Sequence, residues 1–472
     1  MGALRMKDTL QFDAATLRRY DRPAPRYTSY PTAPHFDTQF TEAMLREHIV
    51  EYSNAWSIPR RLSLYVHVPF CFSPCFYCGC NRIITRDTSR ARPYLERLQR
   101  EIALLGPLFE RNREVVQVHL GGGTPNFMRP ADIRALLQTL ASHFRLSTSV
   151  ERDFSIELDP RCVQPGDIAE YARMGFNRAS LGVQDFDPEV QRAVNRVQSI
   201  DETLRVIDAC RAEGFRSINV DLIYGLPRQT TAGFARTLDT VLASRPDRLA
   251  VYSYAHLPEM FKAQRQIADA DLPSNEAKLG LLALAVEQLS EAGYRYIGMD
   301  HFALPDDDLA VAQLHGTLQR NFMGYTTHAN CDLVGIGMSA ISHIGDSFSQ
   351  NARDLPGWQR AIDSGRLPLW RGRQLNFDDV LRGEVIQQLM CQSRIDMREI
   401  EARFAIDFPS YFATALAQLR PLAADGLVTL TSRSITATAR GRLLLRVIAM
   451  CFDRYLDSEA LPEIRPQFSR VI

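Results

Sequence analysis

Lysine is nearly missing from this chain. Only Lys7, Lys262 and Lys278 stand among 55 basic residues, so the positive charge is almost all arginine. Where arginine lines a cleft, its fork of N–H groups grips carboxylates and phosphates bidentately. Charge of one sign is also lacking, with 55 basic against 55 acidic residues, so bulk charge gives no reason to expect nucleic acid or an anionic membrane as partner. Long hydrophobic runs are absent too. The greasiest stretch, LGLLALAVEQL from Leu279, is broken at Glu287, well short of a membrane span. The opening MGALRMKDTLQFD has no apolar core of a secretory signal, and its Met-Gly start lacks the Ser or Thr at position 6 that N-myristoylation needs. A disulfide framework is equally unsupported. The nine cysteines are odd in number, and four crowd between Cys71 and Cys80. Cys162, Cys210, Cys331, Cys391 and Cys451 are scattered and read as inert small hydrophobes. These absences together predict a soluble cytoplasmic protein.

What is present is 472 residues with 45% hydrophobic and 23% charged content, a globular composition too long for one ordinary domain. Residues 1–60 carry Pro23, Pro25, Pro31 and Pro34, and proline biases its neighbourhood to extended backbone, so this segment reads as an arm rather than a helix. From residue 61 to about 370, short β-rich runs alternate with helical patterns. The runs are LSLYVHV (62–68), VVQVHL (115–120), FSIELD (154–159), ASLGV (179–183), INVDLI (218–223) and RLAVYSY (248–254). Between and after them, helical spacing appears in Leu95, Leu98, Ile102 and Leu105, then over 130–144, 200–213, 231–243 and 275–292. Six strand–helix units in order predict an α/β architecture on a parallel sheet, open or curled, with its site at the C-terminal strand ends. Residues 371–472 change character. Helical patterns lead to a hairpin around Ser432–Ser434, with Gly426 closing a helix, the outline of a winged helix. No basic stripe accompanies it, so a packing role is the reading rather than DNA binding.

The densest signal is HVPFCFSPCFYCGCNRIIT (67–85), with Cys71, Cys75 and Cys78 in C-x3-C-x2-C and Cys80 two residues on. Zinc would take four closed ligands, from these cysteines or His67, but structural zinc usually draws them from two separated knuckles and no second pair follows. A redox disulfide needs one C-x-x-C and no further thiols. An iron–sulfur cubane normally takes four thiolates, and three would leave one iron open. Tyr77 stands ready to stack on a ligand. HLGGGTP (119–125) follows at the next strand end, where three glycines strip the backbone so that a ligand can lie against it.

C-x3-C-x2-C followed by GGGTP resembles the radical S-adenosylmethionine (SAM) superfamily. RYTSYPTA (26–33), CGCN (78–81), GVQDF (182–186), DLIYGLP (221–227), YAHLP (254–258), GMDHFA (298–303) and QFSRVI (467–472) resemble, nearly end to end, its oxygen-independent coproporphyrinogen III oxidase family. The resemblance implies a partial (β/α)6 TIM-type barrel with an N-terminal arm and a mostly helical, winged-helix-like C-terminal domain. It implies a [4Fe–4S] cluster on Cys71, Cys75 and Cys78, with SAM chelating the open iron and cleaved to a 5′-deoxyadenosyl radical. Two propionates of coproporphyrinogen III would then be decarboxylated to vinyl groups, giving protoporphyrinogen IX in haem biosynthesis. Tyr65, Gly122, Glu157, Ala255 and Ile341 match the positions around the cluster-bound SAM. Tyr77, Gly123, Thr124, Gln184, Arg196 and Asp221 match a second SAM position.

Cys78 and Cys80 would point to opposite sides of an extended stretch, so Cys80 is read as a non-ligand close to the chemistry. His67 is a candidate to stabilise cluster-bound species, against the plainer reading of a satisfied core histidine that also covers His119. Arg26 is a candidate to meet propionate carboxylates, and Arg22 a solvated arm residue. A low-potential electron donor, an electron acceptor and a monomeric chain complete the expectation. The related haem chaperones are the alternative, yet they typically lack a cysteine at the position of Cys80 and the RYTSYPTA arm, both present here.

Overall fold

Side chains alternate along the central strands in a way that sets the architecture. In a computed structural model, which describes residues 10–55, 59–456 and 468–471, the strands run β1 Leu62–Val68, β2 Glu114–Gly122, β3 Asp153–Leu158, β4 Arg178–Gln184, β5 Ser217–Tyr224 and β6 Arg248–Ser253. One side of each is apolar and buried: Val118 and Leu120, Ile156 and Leu158, Leu181 and Val183, Val220 and Leu222, Leu249 and Val251. The other side carries Gln117 and His119, Asp153, Ser155 and Glu157, Arg178 and Ser180, Ser217, Asn219 and Asp221, and Arg248 and Tyr252, which together line a single cavity. Period-2 alternation therefore puts greasy residues under the helices and polar ones inside. One cavity touched by five neighbouring strands requires the sheet to curl.

The sheet order is β7–β8–β6–β5–β4–β3–β2–β1–β9–β10–β11–β12, where β7 is Arg295–Gly298, β8 His301–Ala303, β9 Asp332–Ile336, β10 Ile341–Ile344, β11 Ser347–Asn351 and β12 Leu369–Gln374. The six expected strands are parallel neighbours, and the helices Ala91–Leu105, Pro130–His143, Ile200–Ala212, Thr231–Ala243 and Asn275–Glu291 fall where periodicity placed them. A seventh parallel strand, β9, pairs with β1 and was not foreseen. It comes from DLVGI, a short run without alternation. The path does not close on itself, so the architecture is an open α/β barrel.

The arm is more structured than its prolines suggest. Helices Ala14–Tyr20 and Glu42–Glu47 flank the proline-rich stretch, capped by Asp13 and Thr41. Leu17, Tyr27 and Tyr30 are buried in one cluster with the C-terminal helices Phe377–Gln392, Met397–Phe404, Ala413–Ala424 and Leu445–Met450. Strands Arg394–Asp396, Val428–Leu430 and Ser434–Ala437 form the small antiparallel sheet beside them. Residues 22–24 pair antiparallel with 469–471, and Arg446 locks the junction by donating to the carbonyls of Ala24, Pro25, Ser469 and Arg470. Lys7 and the start of MGALRMKDTLQFD, with Gln467 and Ile472 of QFSRVI, lie outside the described residues. Among the described residues no helix is long and apolar enough to cross a membrane.

Candidate active site

The cysteine loop leaves β1 and is held open by side chains rather than by regular structure. Arg82 donates from Nη1 to the Cys78 carbonyl at 2.9 Å and from Nη2 to the Cys75 carbonyl at 3.1 Å. Gln264, only 2% exposed, donates from Nε2 to the carbonyls of Tyr77 at 3.0 Å and Ala255 at 3.2 Å, while its Oε1 accepts from the Leu257 N–H at 2.5 Å. Gln264 thus ties the loop to the segment after β6.

Cys71, Cys75, Cys78 and Cys80 line one cavity of about 170 Å³ with Tyr77, Gly122, Gly123, Thr124, Glu157, Gln184, Arg196 and Asp221. Cys78 and Cys80 do not point apart. The stretch is irregular loop rather than a strand, and the Cys80 N–H approaches Cys78 Sγ at 3.4 Å. A hydrogen bond from the Cys80 side chain, aided by Arg82 and Arg196, brings Cys78 down to about 6 despite burial, whereas burial pushes Cys71 up to about 11. Thr124 Oγ1 faces Cys71 Sγ at 3.6 Å. Arg196 Nη1 faces Cys75 Sγ at 3.6 Å and Asp159 at 3.4 Å, and Arg161, paired with Asp159, adds a second guanidinium 4.0 Å from Cys75. Sulfur accepting from cations in this way is how a protein tunes an iron–sulfur group.

The glycine edge closes against the loop. A Cβ on Gly122, whose φ is +115°, would stand 2.5 Å from the His67 ring, and one on Gly123 would stand 2.7 Å from the Pro69 carbonyl. The Gly122 N–H donates to Glu157 Oε2 at 3.0 Å, and His119 Nε2 meets Glu157 Oε1 at 3.2 Å. Burial opposes ionisation of Glu157, but these partners hold it below the ordinary carboxylate range. Its side chain is still 41% exposed, because it faces open cavity. Asp221 is different. Burial, with the Glu157 charge nearby, pushes it up to about 6 against donors from Asn219 at 2.8 Å and Ser180 at 3.3 Å. Gln184 turns in through a left-handed backbone, φ +69°, at a bulge in the β4–β5 pairing.

Tyr65, His67 and Ile341 share a side cavity of about 330 Å³ with Cys80, Gly122 and Glu157. His67 is fully engaged. Its Nε2 faces the Asn81 carbonyl at 2.9 Å and its Nδ1 the Tyr65 hydroxyl at 3.0 Å, and burial lowers its pKa, so it is a neutral strut from β1 to the loop. Ala255 lines neither cavity and joins them only through Gln264. Arg26 stands apart, ion-paired with Asp300 and 5.8 Å from the Tyr252 ring. Sequence reasoning missed Asp159, Arg161, Arg82 and Gln264. Polar residues at alternate positions of the strands were the available signal for the cavity wall, but the loop struts carry none.

The donor set fits an iron–sulfur cluster better than a lone ion. Among the described residues no three His, Cys, Asp or Glu groups converge as a single metal requires; the thiols instead surround a cavity. Residues 65–241 match the radical SAM superfamily and residues 375–444 the HemN C-terminal domain. Oxygen-independent coproporphyrinogen III oxidase of Pseudomonas aeruginosa is 52% identical over 99% of this chain and 100% of its own, and that of Escherichia coli K12 is 47% identical over 98% and 99%. The solved structure of coproporphyrinogen III oxidase (HemN) from Escherichia coli, a radical SAM enzyme, superposes with TM-score 0.89 at 46% identity, covering 95% of this chain and 100% of that one.

Proposed function

The chain belongs to the oxygen-independent coproporphyrinogen III oxidase family of the radical SAM superfamily, and from that membership we propose that it carries out the reaction the family is named for. It is a radical SAM oxidoreductase that converts two propionate side chains of coproporphyrinogen III to vinyl groups, giving protoporphyrinogen IX. The observation that carries this is the enclosure of C-x3-C-x2-C, the glycine edge and Glu157 around one cavity in a chain matched end to end by the family. When bound, the [4Fe–4S] cluster and SAM supply the hydrogen-abstracting radical. The protein supplies the rest.

Cys71, Cys75 and Cys78 are the cluster ligands. Cys80, beside Cys78, is the fourth thiol of that cavity and the one left for substrate or the electron route. Glu157, ionised and fixed by His119 and Gly122, suits an ammonium or a ribose hydroxyl, and Tyr65, Gly122 and Ile341 line the first SAM site beside it, with Ala255 assigned there by the family resemblance alone. Tyr77, Gly123, Thr124, Gln184, Arg196 and Asp221 form the second. Their support is a shared wall with the first site at Cys80, Gly122 and Glu157. Arg196 stays cationic there and, already paired with Asp159, would share its guanidinium with a carboxylate of the ligand. A low-potential donor, an electron acceptor and a cytoplasmic monomer complete the proposal. Anaerobic incubation of reconstituted protein with coproporphyrinogen III, SAM and a reductant tests it. Protoporphyrinogen IX is expected at two carbon dioxide per ring; SAM consumption without decarboxylation would refute it.

A further inference from the structure

Most buried arginines here are answered. Arg113 meets Asp332, Arg178 meets Asp153 and Asp308, Arg196 meets Asp159, and Arg446 meets four carbonyls. Arg320 is not. It is 6% exposed, it has no ion pair among the described residues, and its Nε and Nη1 have no partner. Its one side-chain bond is long, from Nη2 to the Arg26 carbonyl at 3.4 Å. A buried cation left this way is unfavourable until something negative joins it.

Its surroundings say where that something sits. The guanidinium lies 4.9 Å from the centre of the Tyr325 ring, and His301 approaches the same ring edge-on at 5.3 Å. His301 Nδ1 also lacks a partner. Burial, with Arg320 beside it, pushes His301 down to about 3, so it offers a hydrogen bond and no charge. Tyr325, His301 and Tyr252 form one wall of the cavity inside the curled sheet, about 170 Å³, which shares Glu157, Ser180 and Asp221 with the cysteine cavity. The other cations around it are spent: Arg26 on Asp300, Arg248 on Asp307 and Arg178 on Asp153. Among the described residues one positive charge beside that wall lacks an ion pair, Arg320, standing behind Tyr325 rather than in the lining itself.

We propose that Arg320, with His301 next to it, anchors a carboxylate of the substrate, a propionate of the tetrapyrrole reaching into this cavity from the SAM-binding side. The assignment rests on the activity proposed above. Arg26, the arginine that the sequence singled out for this role, is already neutralised.

The test uses reconstituted holoenzyme carrying Arg320→Gln or Arg320→Lys. Losing charge-assisted hydrogen bonds should raise KM for coproporphyrinogen III by roughly tenfold or more in Arg320→Gln, with Arg320→Lys between it and wild type. Iron content and equilibrium SAM binding should match wild type, and Tm without substrate should hold or rise, because the deleted charge had no ion pair to lose and only one long hydrogen bond. An unchanged KM overturns the anchor. SAM affinity falling in step would overturn it as well, by making the bound carboxylate that of SAM. A lowered Tm with unchanged KM would show a packing role instead. A wild type that fails to decarboxylate coproporphyrinogen III would overturn the activity itself, and the anchor with it.

Discussion

Gln264 offers the sharpest check on how the cysteine loop is held. Replacing it with Leu keeps the volume and removes every polar atom. Three half-buried partners are stranded: the carbonyls of Tyr77 and Ala255 and the N–H of Leu257. At less than the full penalty for each half-buried group, the local cost is about 1–2 kcal/mol, divided between Tyr77 in the cysteine loop and the segment after β6 that Gln264 ties to it. The loop should open more often, which is measured as faster iron loss to a chelator under anaerobic conditions and a raised KM for SAM. Gln264→Glu sharpens the test. An ionised carboxylate would turn an acceptor toward two carbonyls, so its defect should shrink as pH falls and the acid regains a donor. Wild-type iron retention and KM in Gln264→Leu would refute the clamp.

Cys75→Ser should lose both cluster iron and SAM cleavage, and retained cleavage would remove it from the ligand set. Cys80→Ser should keep its iron while turnover changes; iron loss would make it a ligand. Glu101 is fully buried and accepts from Gly337 N–H, Asn351 and Trp358, yet burial pushes it up to about 7. An acid whose folded pKa is raised binds a proton that the unfolded chain has released, so its contribution worsens as pH rises from about 4.5 to 7. Melting curves across that window should show wild type losing stability relative to Glu101→Gln, and a flat difference would mean the group is not shifted. Gly122→Ala puts a methyl 2.5 Å from the His67 ring at a left-handed backbone, so SAM affinity should fall, and unchanged binding would show that this edge yields freely.

The six parallel strands and five helices were legible because both periods are strong there: greasy and polar residues alternate in β3 and β5, and Leu95, Leu98 and Ile102 recur at helical spacing. β9 escaped because DLVGI, buried throughout, alternates with nothing. The arm helices escaped because they are six or seven residues long and are fixed by caps and by packing of Leu17, not by pattern. At the site, cysteine spacing named a loop but not its shape. That Cys78 and Cys80 face one cavity depends on a loop held by Arg82, four residues from Cys78, and by Gln264, 187 residues from Tyr77. The ion pairing of Arg26, and the lack of it at Arg320, reflect partners hundreds of residues away in sequence: Asp300 is 274 residues from Arg26.

The clasp at Arg446 joins Ala24 and Pro25 to Ser469 and Arg470, stretches far apart in sequence. Strands and helices can assemble from neighbouring segments, yet Ala24 and Pro25 reach this junction only through Arg446, about 420 residues further along the chain. Replacing Arg446 with Met would therefore loosen two distant segments with one side chain, leaving Ala24, Pro25, Ser469 and Arg470 each without that donor.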